Sequence, residues 1–153
     1  MAQKDRTITV NRKAYHDYSI LESVEAGIAL TGTEIKSVRA GKVNVRESYI
    51  RPEGGELWLV NCHVAQYEPG MRHSHDPYRP RKMLLHRDQI GRLVGMVSQK
   101  GLTLLPLKVY IKNGLAKIEL GVARGKRQYE KREAIARRES ERELRQRVKL
   151  KHR

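Results

Sequence analysis

Gly121-Val-Ala-Arg-Gly-Lys-Arg-Gln-Tyr-Glu-Lys-Arg132 sets five basic residues and one tyrosine around Gly125. That composition suits single-stranded or looped RNA, because cations meet phosphates and a flat ring meets a base. A solvated linker is the plain alternative for any basic run taken alone. The other reactive residues fall into no working pattern. His73-Ser-His75 and Cys62-His63 lack the paired Cys/His spacing of zinc sites, so no metal is expected. These histidines either reach toward RNA or lie on the surface. Cys62 sits in a strand-like run and reads as a small core residue. Asp17, Glu25 and Glu34 match no acid/base spacing, and Gly27, Gly32, Gly41 and Gly125 match neither the phosphate-loop nor the dinucleotide pattern. The residues therefore give no catalytic site and no cofactor; the chemistry they suggest is binding rather than that of an enzyme.

The charge balance names the kind of partner. The 153 residues carry a formal charge of +15, far beyond what solubility requires. Residues 1–123 hold 19 basic and 12 acidic groups, and residues 124–153 hold 13 and 5, so balances of +7 and +8 fall on very unequal lengths. Such asymmetry points to a polyanion. An anionic membrane would require a wide apolar face, which Tyr129, Ile135, Leu144, Val148 and Leu150 do not make. Nucleic acid is the better match. One cysteine, no apolar leader and no run of membrane-spanning length suggest a soluble, cytoplasmic protein without disulfides. The division expected is a domain over 1–123 and a basic tail over 124–153.

The elements that must position these residues are legible in part. Thr7–Val10 leads into the polar and aromatic stretch 11–18. Residues 18–22 and 25–30 suit two strands joined by a tight turn. Thr31-Gly-Thr-Glu34 matches a capping box, so a short helix through Ile35 and Val38 follows, closed by Gly41. Asn44–Ile50 and Glu56–Tyr67 read as strands around a Pro52–Gly55 turn, the second long enough to be bent or bulged. Residues 68–81 form a Pro-rich loop. Ile90, Leu93, Val94 and Val97 give helical spacing over 87–99. Asn113-Gly114 between two apolar runs is the signature of a two-residue hairpin, and Pro106 places a bulge or an edge early in its first strand. The fold class expected is mainly β: an antiparallel, oligonucleotide-binding (OB-like) barrel of about six strands with two or three short peripheral helices. A flat sheet with helices on one face fits the same elements.

The six motifs Asn11–Tyr18, Glu25–Ile28, Gly32–Arg39, Gly41–Asn44, Arg81–His86 and Gly121–Arg132, in order and at consistent spacing, resemble the SmpB family, the bacterial partners of transfer-messenger RNA. The resemblance runs from about residue 8 to the end. It implies an OB-like barrel that grips the tRNA-like domain of transfer-messenger RNA as a 1:1 monomer and delivers it to stalled ribosomes. Carried over by position, Asn11, His16, Glu25, Leu84, His86 and Lys117 are the RNA-facing set on the barrel. His86 stands where some relatives have Asn; either side chain can hydrogen-bond a base or sugar. Gly125 would be a hinge and Tyr129 a platform for a decoding-centre base, with Lys126 and Arg127 beside them. Glu130-Lys131-Arg132 matches the family's Asp-Lys-Arg triplet. Arg137, Arg138, Arg142 and Arg145 would meet small-subunit ribosomal RNA in the empty message channel. From the residues alone, a general OB-type RNA-binding translation or assembly factor is the alternative.

The tail yields a first prediction. Glu141–Arg145 and Glu143–Arg147 sit at i, i+4, worth about 0.2–0.5 kcal/mol each. Ordering each residue costs about 1–2 kcal/mol, and the tail has little apolar surface to offset it. The isolated tail peptide should show little helix by circular dichroism in dilute buffer and gain helix when a polyanion is added.

Overall fold

In the computed structural model, residues 5–67, 75–126 and Arg142 are described. Along the chain the elements are β1 (Arg6–Val10), α1 (Arg12–Asp17), β2 (Tyr18–Ile28), α2 (Gly32–Arg39), β3 (Val43–Asn44), β4 (Tyr49–Glu53), β5 (Glu56–Val60), β6 (His63–Val64), β7 (Arg81–Leu84), α3 (Arg87–Lys100), β8 (Thr103–Lys112) and β9 (Leu115–Gly125). Strands β8, β4, β5, β7, β2 and β9 pair in that order, and β9 pairs back to β8. The result is a closed antiparallel ring of six strands, the OB-like barrel expected, with α1, α2 and α3 at its periphery. Closure leaves the ring itself without an open sheet edge. β1 pairs onto the outside of β8, and β3 with β6 makes a separate two-stranded pair.

Alternation explains the barrel. Leu57 and Leu59 of β5, Met83 of β7, Leu104 of β8 and Ile118, Leu120 and Val122 of β9 are all buried in one core. Each such side chain contributes about 1.5–3 kcal/mol by leaving water. In β8, four successive residues from Leu104 to Leu107 are buried instead of every second one. The cause is α1, which covers the outer face and forms a second cluster of Ala14, Leu105, Leu107 and Ala123. Gly121 belongs to this crossing, since a Cβ there would lie 2.7 Å from Leu107 Cδ1.

The capping box at Thr31 is present, with the Thr31 N–H donating to Glu34 Oε1 at 2.8 Å and the Glu34 N–H donating to Thr31 Oγ1 at 3.4 Å. Asn113 and Gly114 turn with φ of +52° and +76°, the two positive values a twist-matched hairpin needs. The β8–β9 register shifts between Pro106 and Lys108, so the proline sits at a bulge. The apolar spacing over 87–99 becomes α3, which delivers Ile90 and Leu93 to the main core.

Four local readings change. Residues 18–30 are not two strands with a turn: β2 runs unbroken for 11 residues because β9 pairs with it from Tyr18 to Gly27, absorbing one irregularity between Ile20 and Glu22. Residues 12–17 form a helix, α1, that apolar periodicity does not reveal in so short a segment. Asn44–Ile50 divides into β3 and β4 around a turn in which the Ser48 N–H donates to Val45 O at 3.1 Å. Glu56–Tyr67 divides into β5 and β6 at Asn61, whose φ of +60° ends the extended run.

A buried ion pair ties the barrel's irregular side together. Glu34 and Arg81 are both 0% exposed. Arg81 Nε donates to Glu34 Oε2, its Nη1 to Cys62 O at 2.9 Å and its Nη2 to Pro77 O at 3.1 Å. Arg79 Nη2 donates to Glu34 Oε1 at 2.6 Å. His75, expected to face RNA or solvent, is instead buried, bridging Thr33 Oγ1 at 2.8 Å and Val64 O at 2.8 Å. A carbonyl only accepts, so His75 Nε2 carries the proton. Burial pushes the Glu34 carboxyl up, but hydrogen bonds from Arg79, the Thr31 backbone and Arg81 outweigh it and hold the group at about 2 against an ordinary 4.5. A carboxylate depressed in the folded state stabilises above its unfolded value and loses that contribution as pH falls toward the folded one. Stability of the wild type against urea should therefore fall between about pH 5 and pH 2, by on the order of 3 kcal/mol from this group. Glu34→Gln should be less stable at pH 7 by about 3–5 kcal/mol and lack that part of the slope.

Candidate nucleic-acid interface

The register of five strands lays one row across the barrel's outer surface. Thr7 of β1 pairs with Tyr110 of β8, Tyr110 with Lys117 of β9, Lys117 with Gly27 of β2, and Gly27 with Leu84 of β7. A neighbouring row holds Lys108, Glu119 and Glu25. Where the first row reaches β7, the N-terminus of α3 closes it with His86 and Gln89. The groove so formed, about 570 Å³, is lined by Glu25, Gly27, Leu84, His86, Gln89 and Lys117 among others. Gly27 opens its floor, because a Cβ there would come within 3.1 Å of Leu84 Cβ. Leu84 is 49% exposed and makes an apolar wall. The backbone N–H of His86 donates to Gln89 Oε1 at 3.2 Å, which fixes the start of α3 at the groove's end.

Four of the six barrel residues named from the sequence thus meet in one groove: Glu25, Leu84, His86 and Lys117. Glu25 and Glu119 face each other across β2 and β9, an arrangement that like charges disfavour. Each carboxylate has its own partners. Lys108 Nζ lies 3.3 Å from Glu119. Tyr110 donates its hydroxyl to Glu25 Oε1 at 2.6 Å, and Lys112 Nζ lies 3.3 Å from the same oxygen. The Tyr110 hydrogen bond first, and then that from Lys112, holds the Glu25 carboxyl below the usual carboxylate range. Burial and the bond to Glu25 push the Tyr110 phenol up, so it remains a donor at neutral pH.

Asn11 and His16 lie elsewhere, at the other end of β2. Tyr18 and Gly27 are nine residue steps apart, roughly 30 Å along the strand. His16 is exposed, with Nδ1 2.8 Å from Asp17 Oδ1. Asn11 is 3% exposed and caps α1, accepting from the Ala14 N–H at 3.1 Å. Its amide donates to Pro106 O at 2.9 Å and Val45 O at 3.2 Å, so both donor hydrogens are used inside the protein. Asn11 lines a second groove together with Arg12, Lys13, His16 and Arg46.

The chain leaves the barrel at this second end. Gly125 is the last residue of β9, in register with Tyr18, and Lys126 Nζ donates to Tyr15 O at 3.4 Å. Arg142 is exposed. The contacts expected of Arg127, Tyr129, Glu130, Lys131, Arg132, Arg137, Arg138 and Arg145 lie outside the described residues, as does His73. Sequence reading missed Gly27, Gln89, Tyr110 and Lys112. Counting back from the Asn113-Gly114 turn places Tyr110 opposite Lys117, so that signal was available; the reach of Tyr110 to Glu25 was not.

Among the described residues no group of three or more His, Cys, Asp or Glu is placed to hold a metal ion. No helix among them is long and apolar enough to cross a membrane.

Fold and groove together define an OB-like binding barrel whose outer face mixes cations, a carboxylate and an apolar wall over a glycine floor. Comparison with known proteins makes this specific. The family model described as SmpB protein matches residues 8–150. The SsrA-binding protein of Desulfitobacterium hafniense is 58% identical over 139 residues, 91% of this chain and 89% of that one. Its counterpart in Carboxydothermus hydrogenoformans is 58% identical over 140 residues, covering 92% and 94%. The SsrA-binding protein of Dehalococcoides mccartyi is 51% identical over 146 residues, covering 95% and 85%. A solved chain from the structure called "tmRNA-SmpB: a journey to the center of the bacterial ribosome" superposes with a TM-score of 0.65 at 57% identity, covering 77% of this chain and 83% of that one. The chain belongs to the SmpB protein family.

The Asn11 geometry gives a stability prediction. Asn11→Ala removes a helix cap, worth about 1 kcal/mol, and takes its amide donor from the buried Pro106 O at about 1–3 kcal/mol, whereas Val45 O keeps the Ser48 N–H and hydroxyl. The urea midpoint should fall by the equivalent of about 2–4 kcal/mol, with Asn11→Asp recovering only the cap.

Proposed function

We propose that this protein binds the tRNA-like domain of transfer-messenger RNA and delivers it to stalled ribosomes for rescue and tagging of the unfinished chain. The observation that carries the reading is the groove of Glu25, Leu84, His86 and Lys117 on a barrel that matches a chain from a tmRNA–SmpB structure at 57% identity. Lys117 offers a phosphate contact, His86 a hydrogen bond to a base or sugar, and Leu84 an apolar surface against an unstacked base or ribose. These side chains recognise rather than react, so the protein works as an adaptor and not as an enzyme. It acts in the cytoplasm, where ribosomes work, as one protein per RNA.

The second basic end then has a different task. Arg12 and Arg46 line the groove beside α1, and Lys126, where the tail departs, donates to Tyr15 O of the same helix, about a strand's length from the groove of Leu84 and Lys117. An adaptor that substitutes for a missing anticodon arm needs two such ends, one for its RNA and one for the small subunit. On this reading Tyr129 stacks on a decoding-centre base, a contact worth about 1–3 kcal/mol by truncation. Glu130, Lys131, Arg132, Arg137, Arg138, Arg142 and Arg145 line the path of the absent message. The barrel is one unit and the tail another. β9 continues to Gly125, so a cut that spares the barrel falls after Lys126 rather than at Ala123.

Two measurements test the reading. Protein ending at Lys126 should keep its preference for the tRNA-like domain over unrelated duplex RNA and lose peptide tagging on stalled ribosomes. Loss of the preference itself would make the tail the RNA-binding element and favour a general RNA-binding factor. Lys117→Met should weaken binding and lower the slope of log affinity against log salt by about 1.

A further inference from the structure

Glu25 stands where two grooves meet. On one side lies the groove of Leu84, His86 and Lys117; on the other, a second opens over β8 and β1, lined by Arg6, Lys108, Tyr110 and Lys112. The carboxylate is gripped unevenly. Oε1 accepts from Tyr110 at 2.6 Å and Lys112 at 3.3 Å, whereas Oε2 has Lys112 alone at 3.4 Å. A carboxylate offers about four lone-pair sites, so Oε2 retains acceptor capacity toward the groove. The side chain is 41% exposed, within reach of a ligand.

A negative group in the same groove as the Lys117 cation has a selective effect. It repels phosphate and favours a hydrogen-bond donor. RNA carries donors of that kind in two places, the ribose 2′-hydroxyl and the base amino group. The selection works only if the carboxylate stays put. An untethered Glu25 could swing onto Lys117, cancelling the cation that a phosphate needs. The Tyr110 hydroxyl prevents that, and it does so without adding charge.

We infer that Tyr110 and Lys112 are positioning residues which hold Glu25 as an oriented acceptor, so that this point of the groove selects a donor group of the RNA and rejects phosphate. The inference rests on the RNA-binding reading above. Neither Tyr110 nor Lys112 contacts the ligand through this role; both act through Glu25.

The test uses the full chain and two RNAs, the tRNA-like domain of transfer-messenger RNA and an unrelated duplex, with affinities measured across a salt series. Tyr110→Phe should weaken binding of the tRNA-like domain about three- to tenfold, leave the duplex unchanged and leave the salt slope unchanged. Glu25→Gln should cost a similar factor, and the double variant no more than Glu25→Gln alone, because the two residues act as one unit. Deoxy substitution of the contacted ribose, or inosine in place of guanine, should abolish the sensitivity to Glu25→Gln; which of the two does so tells a 2′-hydroxyl from an amino donor. Wild-type affinity in Tyr110→Phe, additive losses in the double variant, or equal loss on both RNAs with a lowered unfolding midpoint would each overturn the clamp. Wild-type protein without preference for the tRNA-like domain would overturn the RNA reading and the clamp with it.

Discussion

The buried pair of Glu34 and Arg81 is the constraint on which much of the remaining architecture depends. Two charges removed from water are costly unless every polar atom finds a partner. Here the carboxylate is met by Arg81, Arg79 and the Thr31 N–H, while the Arg81 guanidinium reaches Glu34 and the carbonyls of Cys62 and Pro77. One interaction therefore caps α2, anchors the start of β7 and secures the segment from His75 to Pro80. β7 matters because it supplies Leu84 and closes the ring between β5 and β2. The site on the surface is held in place from beneath by a charge pair in the interior.

The groove itself follows from strand pairing. Closing six strands into a ring brings β9 against β2 and β2 against β7, and residues far apart in the chain fall into one row. Tyr110, Lys117, Gly27 and Leu84 come from four strands, and His86 is added from the two-residue link between β7 and α3. A site built on paired strands has little conformational freedom to lose on binding, which favours recognition of a folded RNA surface. Glycine at position 27 leaves an opening in that surface where any other residue would crowd Leu84.

The two ends of β2 carry different surfaces. Toward Gly27 lies the groove; toward Tyr18 lie α1, a second basic groove and the point where the tail begins. Asn11 belongs to the second end as its internal brace, using both amide hydrogens to tie α1 to the chain at Val45 and Pro106. Asn11 is buried there, whereas its neighbour His16 is exposed.

What the sequence alone determined is whatever depends on local chemistry. The Thr31–Glu34 capping box, the Asn113-Gly114 hairpin, the Pro106 bulge and the spacing of Ile90 and Leu93 were readable because each is decided by residues within a few positions of one another. The charge asymmetry and six ordered motifs carried the family, and with it the expected partner. Tertiary structure decided the rest. The unbroken β2, which looked like two strands, exists because β9 pairs along nearly its whole length. The short α1 exists because its inner face covers Leu105, Leu107 and Ala123. The divide between Glu25, Leu84, His86 and Lys117 on one side and Asn11 and His16 on the other is a matter of register across the ring. So is the hold of Tyr110 on Glu25. Local pattern fixes which way a side chain points along its own strand; only closure of the barrel determines which strand it then faces.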